Sequence, residues 1–159
     1  MIMKLGSHAG FTLLELIVNL AIIGILSAIA IPAYIAFRDK AKTAQVKSDL
    51  HNLQLAIEQL AIDTNKWPGP NEVGKTANQE VWNLNNSNAG LVSTNGGFPG
   101  WNGPYMKSVP QDPWGSNYFF DPDYRIGGTD YAVVGSFGPN KCCQNAYDSD
   151  DVILKLAAE

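Results

Sequence analysis

The hydrophobic pattern of the chain begins with one apolar run of about 27 residues, Phe11 to Phe37, in which only Glu15 and Asn19 carry strongly polar side chains. As a helix rising ~1.5 Å per residue, this run would be about 40 Å long. That length exceeds the ~30 Å hydrocarbon core of a bilayer. A cleavable secretory signal has a shorter apolar core, of about 7 to 15 residues. The run therefore predicts a helix that spans a membrane or packs against identical helices.

An amphipathic helix is predicted to continue the apolar one, from about Phe37 to Asp63. Its apolar side chains recur at steps of three and four residues, which places them on one helical face. They are Val46, Leu50, Leu53, Ile57, Leu60 and Ala61. Pro68 ends the helical pattern, because proline cannot continue the hydrogen-bond ladder.

Turn signals replace the helical pattern beyond Trp67. Pairs of Gly, Pro and Asn punctuate the stretch from Gly69 to Gly103, which predicts a surface loop region with room for one small helix. Trp67, Trp82 and Trp101 are predicted to anchor a small core rather than to form a carbohydrate platform.

Strand patterns occupy the last third of the chain. Two runs, Ser116 to Asp121 and Asp130 to Ser136, predict an antiparallel pair joined by a turn at Pro122 to Gly128. A third strand is predicted at Val152 to Lys155. The fold class that follows is α+β, with a long amino-terminal helix packed on a small antiparallel sheet beside a long loop region.

The predicted domain organisation has three segments after the first ten residues. They are a transmembrane or assembly helix at 11–37, an amphipathic helix at 38–66, and a globular head at 67–159 with a variable loop at 69–103.

Charge and residue inventory exclude several functions. A formal charge of −4 disfavours a nucleic-acid partner, because binding phosphates requires a basic face. His51 is the only histidine beyond residue 8. The chain offers no nucleophile and base pair, phosphate loop or paired metal-binding histidines, so an anchored enzyme is also disfavoured.

The only two cysteines are adjacent, Cys142 and Cys143. Adjacent residues cannot supply the spaced ligands of a zinc site or a Cys-x-x-Cys redox pair. A vicinal disulfide, a bond to another subunit and two free thiols are all compatible with the sequence.

Glu15 lies at an unfavourable position, inside the apolar run. A carboxylate at membrane depth costs roughly 2.5–3.5 kcal/mol on insertion scales, so it usually has a partner. Asn19 follows one helical turn later on the same face and can hydrogen-bond to Glu15 or to a neighbouring helix.

The segment Gly10-Phe11-Thr12-Leu13-Leu14-Glu15, followed by an unbroken apolar helix, resembles the class III signal of type IV pilins and type II secretion pseudopilins. The resemblance implies that residues 1–10 are a leader, which a prepilin peptidase removes after Gly10 before Phe11 is methylated at its new amino terminus. It also implies that Glu15 of one subunit pairs with the Phe11 amine of another. Gly24 and Pro32 match positions where the family helix is weakened, which would let it stretch in an assembled fibre.

The head also resembles one branch of this family, the major pseudopilins of type II secretion. The resemblance rests on Gly103 to Tyr105 and on Pro110 to Gly115, which precede the first predicted strand. It implies a homopolymeric filament that drives protein export, with minor pseudopilins and an inner-membrane assembly platform as further partners. A type IV pilus subunit remains an alternative, as does a monomeric membrane-tethered binding module.

Calcium is the one cofactor that the resemblance implies. Major pseudopilins hold Ca²⁺ between a Ser-x-Gly-Pro-Asp turn and a closing Asp-Asp-Ile, and Asn140, Asp150 and Asp151 match those positions. Asn140 replaces an acid, and Asp148 is predicted to supply the missing charge. Clustered carboxylates repel one another unless they are solvated or bridged, and Ca²⁺ is a hard cation that binds six to eight oxygens.

The membrane topology follows from the resemblance and contradicts simple charge counting. Basic residues after the apolar run outnumber the single lysine before it, which would favour a cytoplasmic carboxy-terminal side. The family instead keeps the leader in the cytoplasm and exports the head. We therefore expect a single-pass inner-membrane protein with its head in the periplasm or outside the cell. The basic residues are Lys4 before the run and Arg38, Lys40, Lys42 and Lys47 after it.

Overall fold

The computed structural model describes residues 10–75 and 79–156. Its elements are one long helix, α1, five strands and a short 3₁₀ turn. Their bounds are α1 Leu13–Thr64, β1 Lys66–Trp67, β2 Asn71–Glu72, β3 Phe119–Ile126, β4 Thr129–Ser136, the 3₁₀ turn Gly138–Asn140 and β5 Val152–Lys155. The chain divides into two compact units, one up to Lys40 and one from Ala41 onward.

Of the first unit, the structure describes residues 10–40, which contain the apolar part of α1. Its large hydrophobic side chains are exposed, including Phe11 at 82% and Phe37 at 72%, and the helix is long and apolar enough to cross a membrane. The helix continues through both Gly24 and Pro32. Their role in stretching an assembled fibre therefore remains a prediction about the polymer.

The second unit packs the amphipathic part of α1 against the sheet and loops. From here on, the head means this whole unit from Ala41 onward, which adds the amphipathic helix to the predicted head at 67–159. The helix buries Val46, Leu50, Leu53, Ile57 and Leu60, the stripe that the sequence predicts. Thr64 closes the helix by donating its hydroxyl to the Leu60 carbonyl at 2.6 Å. The α+β fold class is thereby confirmed.

Strands β3, β4 and β5 form an antiparallel sheet in that order. The predicted turn at Pro122 to Gly128 is wrong, because β3 continues through Pro122 to Ile126. The pairing with β4 shifts register between Asp121 and Tyr124. Pro122 has no N–H for the ladder, and a bulge is where a strand tolerates that loss. The actual turn is confined to Gly127 and Gly128.

The loop region 69–103 contributes side chains to the hydrophobic core. Among the residues described there, the chain buries Val81, Leu84, Ala89, Leu91 and Phe98 in the main core. Trp67 is buried and packs edge-on to Phe120 with ring centroids 6.0 Å apart. Trp82 and Trp101 are half-buried against the core clusters. The prediction that the tryptophans anchor a core is confirmed, whereas the prediction of a purely superficial loop is wrong.

Candidate functional sites

The first candidate site is the start of α1. Thr12 precedes the helix and caps it, since its Oγ1 accepts the Glu15 N–H at 3.2 Å. The Glu15 carboxylate in turn accepts the Thr12 N–H and hydroxyl, both at 2.8 Å. This reciprocal arrangement is a capping box. It satisfies backbone donors at the helix start that would otherwise lack partners.

The capping box gives the Glu15 carboxylate a hydrogen-bond partner within the subunit, and that partner is Thr12 instead of Asn19. The carboxylate is held by Thr12, three residues earlier, while Asn19 lies exposed one turn further along α1. The bond between Gly10 and Phe11 lies in exposed, non-helical backbone just before the helix. A peptidase needs an accessible bond, and this backbone is exposed. The remainder of the predicted leader, residues 1–9, lies outside the described residues.

The second candidate site is the loop between β4 and β5, which carries the predicted calcium ligands. The Asn140 amide donates to Asp148 Oδ2 at 2.8 Å, and Asp148 Oδ1 accepts the Asp150 N–H at 2.9 Å. Asn140 Oδ1 accepts the Cys142 N–H at 2.9 Å. Asn140, Asp148 and Asp150 are thus joined in one hydrogen-bonded loop.

Asp151 differs from the other acids of this loop because it turns inward. Its Oδ2 accepts the Tyr124 hydroxyl at 2.7 Å, whereas its Oδ1 is buried without a hydrogen-bond partner. Burial raises the pKa of Asp151 above its ordinary value, and the charges of Asp148 and Asp150 act in the same direction. A cation beside Asp151 would give the orphaned oxygen a partner and offset the neighbouring charges.

The loop geometry depends on one glycine. Gly138 has φ of +68°, and a Cβ at this position would collide with the Asp150 carbonyl oxygen. Its N–H donates to Ser136 Oγ at 3.1 Å, and the Ser136 hydroxyl donates to Asp112 Oδ2 at 2.6 Å. The loop is therefore anchored to the turn that contains Asp112.

Asp112 organises the Pro-Gln-Asp-Pro-Trp-Gly turn. Its Oδ1 accepts the N–H groups of Trp114 at 3.0 Å and Ser116 at 2.8 Å. The sequence did not predict its link to Ser136. The only sequence signal for this link was that each residue lies in one of the two turn motifs of the head, Asp112 in Pro110 to Gly115 and Ser136 in Ser-Phe-Gly-Pro.

No group of three or more His, Cys, Asp or Glu side chains is gathered in a metal-binding arrangement anywhere in the described ranges 10–75 and 79–156. A calcium site in this loop would therefore need amide or carbonyl oxygens beside the carboxylates, a mixture that Ca²⁺ accepts. Cys142 and Cys143, which lie in the same loop, are joined as a vicinal disulfide. Of the states left open by the sequence, this is the one that the structure shows.

The sequence did not predict an acid pair in β3, formed by the buried Asp121 and the half-buried Asp123. Asp121 is 1% exposed and accepts the Asp123 N–H at 2.9 Å, while Asp123 Oδ1 is buried without a partner. Burial, with the nearby charges of Asp123 and Glu80, raises the pKa of Asp121 to about 7. The only sequence signal was two acids flanking a proline within a strand.

An exposed apolar helix with a capped start, continued by an amphipathic half that packs on a small antiparallel head, defines a pilin-like subunit. Comparison with known families is more specific. Residues 33–153 match the family described as type II secretion system (T2SS), protein G, and residues 6–31 match the prokaryotic N-terminal methylation motif. The chain belongs to the type II secretion system protein G family.

Relatives cover most of the chain. The type II secretion system core protein G of Klebsiella pneumoniae is 32% identical over 133 residues, 81% of this chain and 85% of the relative. That of Pseudomonas aeruginosa is 29% identical over 150 residues, 92% of this chain and 96% of the relative. The resemblance found in the sequence is thereby confirmed.

A solved structure shares the fold. The major pseudopilin from the type 2 secretion system of enterohaemorrhagic Escherichia coli superposes with a TM-score of 0.51 and 24% identity, covering 75% of this chain and 87% of that chain.

Proposed function

We propose that this chain is a major pseudopilin, a structural subunit that polymerises into a filament and drives protein export through a type II secretion system. The observation that carries the proposal is the family match over residues 33–153, joined to a methylation motif at the start of an exposed apolar helix. The role is mechanical, and no catalytic chemistry is assigned to the chain. The relatives named above favour secretion over the alternative of a type IV pilus.

Deletion and complementation test this function. Cells that lack the gene should retain the normally exported proteins in the periplasm, and the wild-type gene should restore export. Normal export in the deletion strain, together with lost surface motility, would instead indicate a type IV pilus subunit.

Processing between Gly10 and Phe11 is the first prediction. The bond is exposed and lies before the helix, so a prepilin peptidase should release a mature chain beginning Phe-Thr-Leu with a methylated amine. Intact mass and amino-terminal sequencing of the membrane form check this. A chain still starting at Met1 in cells with an active peptidase would contradict the prediction and favour a monomeric, membrane-tethered binding module.

The same proposal places the protein in the inner membrane with one span and the head outside the cytoplasm. The exposed apolar helix supports a membrane anchor, and the family assignment supports export of the head. Prepilin peptidase, minor pseudopilins and the inner-membrane assembly platform are its proposed partners. Protease added to spheroplasts should digest the head, whereas a protected head would reverse the topology.

Calcium binding by the loop between β4 and β5 is a further part of the proposal. Asn140, Asp148, Asp150 and Asp151 would hold the ion, and the orphaned, buried Oδ1 of Asp151 supports the fit. When bound, Ca²⁺ would neutralise the mutual repulsion of the carboxylates. Gly138 and Ser136 would keep the loop closed on itself.

The second prediction concerns the thermal stability of the protein in detergent. Only the folded loop assembles the ligands, so calcium at about 100 times its dissociation constant should stabilise the fold by about 2.7 kcal/mol. That gain corresponds to a rise in Tm of several degrees. Asp150→Ala combined with Asp151→Ala should abolish the increment, whereas Glu72→Ala, an exposed acid on β2, should retain it. Equal Tm values in millimolar calcium and in excess chelator would refute the site.

A further inference from the structure

Two large hydrophobic side chains on the head are exposed. Within residues 41–75 and 79–156, the large hydrophobic side chains are buried or half-buried except for Leu55, which is 64% exposed, and Ile62, which is 77% exposed. They lie seven residues apart in α1, which places them on one helical face about 10.5 Å apart along the axis. The opposite face carries the buried Val46 and Leu53. We call the pair the Leu55/Ile62 ridge.

One member of the ridge, Ile62, also lines a groove of about 320 Å³ along the flank of α1. Apolar side chains line much of this groove. They are Ile57, Ala61, Ile62, Trp67, Val73 and Leu156. Ile62 therefore belongs both to the ridge and to a groove lined largely by apolar side chains.

Polar neighbours of the ridge are already paired within the subunit. Gln54 donates to Glu58 at 2.8 Å, and Gln59 donates to Asp63 at 3.3 Å. Covering this face would therefore not leave these amides without partners. Such satisfied polar groups around an apolar centre are typical of protein interfaces.

The same chain contains a second exposed apolar surface, on the amino-terminal part of α1. Along residues 11–37 the large hydrophobic side chains are exposed, for example Ile29 at 70% and Tyr34 at 67%. Lipid covers them while the subunit is in the bilayer. A subunit that enters a filament leaves the lipid, so protein must replace it. In a polymer of identical chains the contacts are heterologous, which means that two different patches of the same chain meet.

We propose, on the basis of the filament function above, that the Leu55/Ile62 ridge of one subunit packs against the apolar segment 13–37 of a neighbouring copy. The ridge is the exposed apolar surface that the described head offers, and segment 13–37 is the apolar surface that the same chain must bury on extraction. The partner is a second copy of this chain.

Paired substitutions in the full-length protein test the proposal. Leu55→Gln with Ile62→Gln removes the apolar ridge while keeping a good helix former at position 55. Both side chains are exposed, so membrane insertion and Tm should change little. The yield of sheared filaments should fall about tenfold or more, because two aliphatic side chains lose their burial at every contact. The matched control, Leu55→Met with Ile62→Leu, should assemble like the wild type.

Cross-linking identifies the occupant. A photo-reactive amino acid at position 62 should give a covalent dimer in assembled filaments, and the linked peptide should come from residues 13–37 of the second copy. A link to lipid, to another protein or to another head would overturn the proposal, as would normal filament yield from the paired glutamine variant. Those results leave the filament function intact, whereas a wild-type chain that forms no filaments removes the function and the inference together.

Discussion

Glu15→Leu is expected to leave membrane insertion intact and to reduce incorporation into filaments by roughly two to three orders of magnitude. Insertion becomes easier, because the roughly 2.5–3.5 kcal/mol cost of placing an acid at membrane depth disappears. Assembly becomes harder, because the amine of Phe11 would be buried without its proposed partner. Removing one member of a buried ion pair typically costs about 3–5 kcal/mol, and each 1.4 kcal/mol is a factor of about ten.

The capping box allows two causes of such a loss to be separated. Glu15 accepts the Thr12 N–H and hydroxyl, so Glu15→Leu removes both a helix cap and a charge. Glu15→Gln keeps an acceptor for Thr12 and removes only the charge. If the ion pair with Phe11 matters, both variants should fail to assemble, whereas a role limited to capping would spare Glu15→Gln.

Filament yield from a strain that lacks the native subunit is the measurement, with membrane-inserted protein quantified in parallel. Asn19→Leu is the matched control, because it removes a polar group one turn away on the same face without touching the cap or the charge. It should assemble far better than Glu15→Leu. Wild-type yield from Glu15→Leu would refute the pairing.

Sequence reasoning succeeded where the hydrophobic period is strong. The stripe from Val46 to Leu60 predicted the buried face of α1 correctly, and β4 and β5 lie within a residue of their predicted bounds. The turn chemistry of Asp112 was also readable, since an aspartate ahead of Pro-x-Gly is suited to accept turn N–H groups. These features depend on local preferences that agree with the fold.

Prediction failed where the structure depends on tertiary contacts. Leu84, Leu91 and Phe98 enter the core from a region without periodicity, and no local pattern distinguishes such anchors from surface apolar residues. β3 continues through Pro122 because a bulge removes the need for its N–H. The candidate loop was predicted by resemblance, but the inward turn of Asp151 towards Tyr124 required the fold.

The environment of Asp121 in β3 also depends on tertiary contacts. It predicts an unusual pH dependence of stability. Asp121 is fully buried, and its pKa is raised to about 7 from the ordinary 3.8, first by burial and then by Asp123 and Glu80. The folded chain therefore holds a proton that the unfolded chain releases near pH 4. Between about pH 4 and pH 7, the folded state binds more protons than the unfolded state.

The sign of the effect follows from this difference. The contribution of Asp121 to stability is fully present below about pH 4, where both states are protonated at this carboxyl, and it is lost as pH rises towards 7. The steepest slope is about 1.4 kcal/mol per pH unit. The total loss is on the order of 2–4 kcal/mol, after which the contribution is flat. Most paired carboxylates act in the opposite direction, so this slope can be separated from theirs.

Asp121→Asn should remove the slope, because asparagine stays neutral at every pH. Its Oδ1 can still accept the Asp123 N–H, which Asp121 accepts at 2.9 Å, and its amide can donate to the Asp123 carboxylate. We expect the variant to be more stable than the wild type at pH 8 by about 2 kcal/mol or more and to differ little from it near pH 4. Chemical denaturation of the detergent-solubilised protein from pH 4 to pH 8 measures this. Glu58→Gln, which alters an exposed carboxylate on α1, should keep the wild-type slope. If Asp121→Asn and the wild type lose stability in parallel as pH rises, the proton is not held at Asp121.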